Sequence, residues 1–276
     1  MGANQVMGLL ISLDDNAGMV YTKAAEKVLP CTVTLYIPSD KSGGSIEALG
    51  SGVLYHENDD YFLLTAGHCI KQDGQKILSG ILDGRAYKAL NGMAMVDPGL
   101  DNKIDVGIIK LDEESRDACL RNHKFITPQQ IFNNTASVTK PTEYMLAGFP
   151  ISKVSINHVA KRVAKDMAPF LCQSQDAYYY QKLVFHPAES LLVKLDRRRS
   201  QIWGSGEKSM APKLKGISGG GMWYVPNYFV QDLDNVVPYL AGIFIEYHPN
   251  FRTAVATKFE VFAPLIKGIQ AAKTLS

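Results

Sequence analysis

Along most of this chain apolar positions recur at every second residue, in short runs broken by polar or glycine-rich clusters. That period belongs to half-buried strands. "CTVTLYIP" (31–38) alternates and is rich in β-branched residues, which predicts a strand closed by the turn cluster "SDKSGGS". "LGSGVLYHENDDYFLLTAGHCI" predicts a strand, a polar hairpin loop at 56–60 and a second strand, and further strands fit 76–82, 85–96 and 104–111. The polar, partly helical stretch 112–134 joins two lobes. Strand patterning resumes in "EYMLAGFPI" (143–151), "KLVFHP", "SLLVKLD", "GGMWYV", "VPYLAGIFIEYH" and "TAVATKF". Helical spacing shows in "MVYTKAAEKVLP" (19–30), which stops at Pro30, and weakly over 158–176, which reads as an insertion. Phe259, Phe262, Leu265, Ile266 and Ile269 predict one C-terminal amphipathic helix. The expected fold is all-β, two barrels or a sandwich, with a terminal helix.

Bulk composition narrows the function classes. The 276 residues are 46% apolar and 20% charged, ordinary for a globular protein with a sizeable core. Lys plus Arg is 29 against 27 acidic residues, a net charge of +2, so no nucleic acid or anionic membrane partner is expected. The densest basic run, "DRRRS" (196–200), reads as a solvated strand end or loop. No apolar stretch is long enough for a spanning helix. The first residues carry no basic region ahead of a short apolar segment, so no secretory signal is expected. The Met-Gly start has Val6 where myristoylation needs Ser or Thr. Cys31, Cys69, Cys119 and Cys172 are scattered without CxxC spacing, which predicts free thiols and a cytoplasmic home.

Chemistry concentrates around "YFLLTAGHCI" (61–70), where a histidine and a thiol end an apolar run. Metal ligation lacks partners: His56, His123, His158, His186 and His248 lie singly and the cysteines do not cluster, so no metal site is expected. A Cys69–His68 pair is disfavoured if both lie on an extended strand, since neighbours there point to opposite faces. The partners of His68 must then come from other segments. In "DNKIDVGIIKL" (101–111), Asp105 stands before a buried strand and needs a strong donor, which an imidazole N–H supplies. Asp101, with polar neighbours, suits a solvated loop. In "KLKGISGGGMW" (213–223), Ser218 sits among Gly216, Gly219, Gly220 and Gly221. Glycines free the backbone to take positive φ, and such a turn can aim the N–H groups of Gly216 and Ser218 at one spot, an oxyanion hole. A flexible hinge is the competing reading of the same glycines.

Taken together and in order, "TAGHC", "DVGIIKL" and "GISGGG" resemble the chymotrypsin/trypsin-like serine peptidase family, whose members read T-A-A-H-C, D-I-x-L-I-K-L and G-D-S-G-G. "LGSGVLY" (49–55) is similar to the strand before the catalytic histidine in its bacterial heat-shock branch. "YLAGIFIEY" (239–247) and "TAVATKFEVFAPLI" (253–266) are similar to the substrate-binding strand, its hairpin partner and the terminal helix. The resemblance covers roughly 30–270 and is weak over 112–135 and 155–200. It implies two six-stranded antiparallel β-barrels: 25–125 with His68 and Asp105, then 126–276 with Ser218. An N-terminal extension (1–24), an insertion near 155–185 and a C-terminal helix over 258–273 complete the division.

The resemblance also implies roles. Ser218 is the nucleophile, His68 the general base and later acid, and Asp105 orients the imidazole. The N–H groups of Gly216 and Ser218 bind the oxyanion, and peptide hydrolysis proceeds through an acyl-enzyme with no cofactor. The substrate is a protein or peptide, and a regulatory partner is compatible with the pattern. Ile217 replaces the aspartate that pairs with a newly cut N-terminus in secreted members, so activation by trimming is not expected. Cys69 lacks its family disulfide partner. The specificity pocket is expected between Ile245, Glu246 and Tyr247 and, opposite, Ala254, with its floor near Pro212. Glu246 attracting a basic side chain and Glu246 merely exposed both stay open. So does a different class of function, a binding or regulatory module on the same fold whose site is latent until a partner binds. An acyl hydrolase of the G-x-S-x-G type expects the order Ser, Asp, His on a strand–helix elbow, and this chain has the reverse.

Overall fold

The computed structural model describes residues 9–10, 15–39, 45–74, 76–84, 86–97, 103–133, 143–157, 162–196, 201–202, 212–226 and 233–272. Asp101, His158, most of the basic run at 196–200 and 203–211 lie outside them. After a first helix α1 (Asp15–Val28) come seven strands that pair in one sheet, with a two-residue ribbon (Gln72–Asp73 with Lys76–Ile77) apart from it. They are β1 (Thr32–Pro38), β2 (Ile46–Glu57), β3 (Asp60–Thr65), β4 (Gly80–Asp83), β5 (Ala86–Ala89), β6 (Gly92–Asp97) and β7 (Val106–Leu111). They pair in the order β5-β4-β1-β2-β3-β7-β6, a half-barrel sheet. The hairpin between β2 and β3 is tighter than a loop over 56–60. Asn58 takes φ +56, a conformation Asn tolerates, and Glu57 pairs directly with Asp60.

Helix α2 (Glu113–Leu120) follows, capped by the Asp112 carboxylate accepting the Ser115 N–H at 2.8 Å. The second half holds β8 (Glu143–Gly148), β9 (Ala168–Ser174), helix α3 (Ala177–Leu183), β10 (Ser190–Lys194), β11 (Gly221–Tyr224), β12 (Tyr239–His248), β13 (Thr253–Lys258) and helix α4 (Phe259–Ala272). Its strands run β8-β11-β12-β13-β10-β9, and β9 pairs back onto β8 from Glu143↔Gln173 to Gly148↔Ala168. Six strands therefore close a barrel.

Burial explains the strand patterns. In the first sheet alternate residues serve two cores: Val53, Phe62 and Ile108 face one, Leu54, Leu63 and Ile109 the other. With both faces covered, β7 reads as a nearly unbroken apolar run. The first of these cores is the layer between the sheets, shared with Met145, Leu171, Trp223 and Leu240 from the outside of the barrel. Helices α1 and α4 seal it with Val20, Ala24, Phe262 and Ile266. Tyr144, Leu146, Phe170 and Val193 fill the barrel itself. Among the described residues no helix is long and apolar enough to cross a membrane.

Three expectations are corrected. The weak helical spacing of 158–176 gives way to the ribbon strand Arg162–Lys165 and to β9, because pairing with β8 buries Phe170 and Cys172 inside the barrel. "KLVFHP" is no strand: it is the end of α3 and a turn, with Val184 left-handed at φ +59. α1 starts earlier than the spacing showed, and Pro30 sits in a 3-10 turn after it.

Candidate active site

His68 does not stand on a strand. β3 ends at Thr65, and Gly67–Cys69 form one 3-10 turn. The extended backbone that would part His68 from Cys69 is therefore absent, and the Cys69 side chain is among the groups that raise the basicity of the imidazole. The turn lies against the segment before β7. Gly67 N–H donates to the Asp105 carbonyl at 3.2 Å and His68 N–H to Asp105 Oδ1 at 3.1 Å, while His68 Nδ1 is hydrogen-bonded to Asp105 Oδ2. Asp105 so grips both the backbone and the ring of His68. The imidazole is held above its ordinary range, first by the Asp105 hydrogen bond and then by Cys69, with partial desolvation opposing. Its side chain stays 52% exposed, open to an incoming molecule.

Ser218 is carried by the turn that leads into β11, and the backbone bonds of that turn can be accounted for. Every carbonyl from Leu214 to Ser218 is engaged. Leu214 accepts from Ile217 N–H, Lys215 from Ile151 N–H, Gly216 from the Ser51 hydroxyl, Ile217 from Gly220 N–H and Ser218 from Ser51 N–H, all at 2.7–2.9 Å. The N–H groups of Ile217, Gly219 and Gly220 donate to Leu214, Phe244 and Ile217. Those of Gly216 and Ser218 have no partner among the described residues. Gly216 at φ +93 and Gly219 at φ +85 allow this path, and Gly219 also lets the turn approach the Ser51 carbonyl. Ile217, fully buried, anchors the turn in the barrel core.

The two turns meet. Cys69 Sγ lies 3.5 Å from the Ser218 carbonyl, and Gly50 leaves room for that thiol: a Cβ there would stand 2.5 Å from it. The Ser218 hydroxyl donates to the Ile245 carbonyl at 3.5 Å, and no His68–Ser218 hydrogen bond occurs among the described residues. All four cysteines are free thiols and buried.

The remaining predicted positions separate. Ile245 is buried, with its carbonyl facing Ser218. Glu246 is exposed, and its carboxylate lies 3.1 Å from His248 Nε2, close enough for an ion pair though not aligned as a hydrogen bond. Tyr247 donates its hydroxyl to the Leu195 carbonyl at 3.1 Å. Ala254 pairs with Tyr247 and is fully buried in the barrel core. Pro212 is half-buried at the edge of the undescribed stretch.

Sequence reasoning missed Ser51. It is fully buried, its hydroxyl donates to the Gly216 carbonyl and accepts from Phe149 N–H at 2.9 Å, and its carbonyl accepts from the Thr65 hydroxyl at 2.7 Å. A small polar residue inside the apolar run "GSGVLY" was the available signal.

No family model matches the chain, and no curated protein matches it. Among solved structures it is similar to a serine endoprotease from Yersinia pestis, with a TM-score of 0.49 and 16% identity over 90% of this chain. The match spans 66% of that protein's length. It is also similar to a Glu endopeptidase solved in complex with MPD, with a TM-score of 0.47 and 17% identity, covering 90% of this chain and 94% of that one.

Proposed function

We propose that this protein is a serine endopeptidase that cleaves peptide bonds through an acyl-enzyme, with Ser218 as nucleophile, His68 as base and acid, and Asp105 as the group that orients His68. The observation that carries the reading is the pair of N–H groups, Gly216 and Ser218, that have no partner among the described residues, in a turn whose carbonyls from 214 to 218 are all engaged. Donors fixed in that way and left open suit an oxyanion, and each is worth roughly 3 kcal/mol of transition-state stabilisation.

The residues then divide the work. Asp105, bonded to Nδ1, leaves Nε2 as the basic nitrogen and stabilises the imidazolium that forms. The Ser218 hydroxyl turns from the Ile245 carbonyl toward Nε2 when substrate enters, gives up its proton and attacks the scissile carbonyl. The carbonyl oxygen, now negative, settles on the two N–H groups. His68 returns the proton to the leaving amine, then activates water to release the acyl group. β12 offers the backbone beside which a peptide substrate lies. No metal or organic cofactor takes part in this scheme.

The resting position of the Ser218 hydroxyl, on Ile245 instead of His68, favours the second reading, a regulatory module whose site is latent until a partner binds. Turnover of a quenched peptide library separates the two. The endopeptidase reading requires cleavage by the protein alone that vanishes in Ser218→Ala. Cleavage only after a partner is added supports the latent module.

A further inference from the structure

Strand alternation turns a lysine into the closed barrel. Ala254 and Ala256 of β13 are fully buried in the barrel interior, so Lys258, two residues on, faces inward at the barrel's end. Tyr144 on β8, Leu191 on β10 and Ala241 on β12 belong to the same interior. With Lys258, Gln175 and Tyr180 they line a cavity of about 320 Å³. It lies at the opposite end of β8 from Gly148, the residue that abuts Ile217.

An inward lysine is costly unless its charge is met. Among the described residues the Lys258 ammonium has no hydrogen-bond or ion-pair partner. Burial lowers its basicity, and the Glu260 carboxylate acts in the other direction. No described residue lining the cavity is acidic. The Tyr144 hydroxyl has no described partner. The Tyr180 hydroxyl accepts Leu192 N–H at 3.0 Å and keeps its own hydrogen to donate. The Gln175 amide gives one of its two hydrogens to the Thr253 hydroxyl at 2.7 Å. One ammonium and two phenols thus offer donors into a space whose described lining carries no carboxylate, the nearest negative charge acting on them being Glu260 outside it.

We propose that this barrel mouth binds a small organic carboxylate with an apolar body, its oxygens on Lys258, Tyr144 and Tyr180 and its apolar part against Leu191 and Ala241. The volume is at the lower end of the roughly 300–1,000 Å³ of small-molecule sites, which fits a single-ring acid. The proposal does not depend on the role of Ser218.

Benzoate and its neutral analogue benzamide test it, by calorimetry and thermal shift on the full chain. Benzoate is expected to bind at millimolar concentration or below and to raise Tm, and benzamide is not. Lys258→Met should weaken benzoate by about tenfold or more, as expected for loss of a charged hydrogen bond, and Ser218→Ala should leave it unchanged. Should Lys258→Met fail to fold, Tyr144→Phe takes its place, and weaker benzoate binding supports the site. Absence of benzoate binding in the millimolar range overturns the proposal. So does equal binding of benzamide, or undiminished binding in whichever of the two variants folds.

Discussion

The Ser51 hydroxyl donates to the Gly216 carbonyl at 2.8 Å, and so ties a strand of the first sheet to the turn that carries Ser218. The same residue holds the Ser218 carbonyl through its own N–H, also at 2.8 Å. Two carbonyls of the turn are pinned from one buried side chain and its backbone, which fixes the chain on either side of the Ser218 N–H.

Ser51→Ala removes the hydroxyl but leaves Phe149 N–H and the Gly216 carbonyl buried without that partner. The cost to stability is about 1–3 kcal/mol by urea unfolding. If the pinning serves catalysis, kcat drops by about 10²-fold through misplaced donors while KM stays nearly unchanged. A change confined to stability would leave Ser51 a purely structural residue.

The pH profile follows from the raised basicity of His68. A base must be neutral to accept a proton, so kcat/KM should rise with pH and reach half its plateau above about 6.5, the ordinary histidine value. Asp105→Asn removes the largest cause of the shift. Its profile should move toward the ordinary value and its plateau should fall by about 10⁴-fold. For stability the sign is opposite. The His68–Asp105 contribution is complete below the unfolded histidine value and is lost as pH climbs through the raised one.

Gly219→Ala puts a Cβ 2.0 Å from the Ser51 carbonyl and 2.1 Å from the Thr65 hydroxyl, at φ +85. Strain and overpacking together should cost about 3 kcal/mol or more. Gly84→Ala is the control: its φ is +63, but nothing stands within 4 Å of its Cβ, so the loss should stay near 1 kcal/mol. Equal losses in chemical denaturation would show that the Ser51–Gly219 approach is looser than described.

Val184 is left-handed at φ +59 and 71% exposed, an unfavourable place for a β-branched residue. Val184→Asn should raise the denaturation midpoint by an amount equivalent to about 1 kcal/mol. A loss of stability would mean that the valine side chain makes compensating contacts.

Much of this architecture was legible because strand period and burial agree. β1, β3, β7 and β10 to β13 lie close to where alternation places them, since each has at least one face in a core. β9 was hidden because its pairing partner β8 is remote in sequence, and local spacing around Ala164 and Ala168 favours a helix. The His68–Asp105 contact was readable from chemistry, as a carboxylate before an apolar strand needs a donor. Ser51 was not singled out, for its importance lies in three bonds made across the sheets to Phe149, Gly216 and Ser218. The placing of Ala254 inside the barrel depended on register, which alternation alone does not set across the irregularity between Phe244 and Glu246.

The central claim is that Ser218 is a nucleophile activated by His68, and a fluorophosphonate probe tests it most directly. Intact-mass and peptide-mapping analysis should find one adduct, on Ser218, formed by the parent and by Cys69→Ala and lost in Ser218→Ala and His68→Ala. Equal labelling of the parent and Ser218→Ala, or no labelling of a folded parent, would contradict the account.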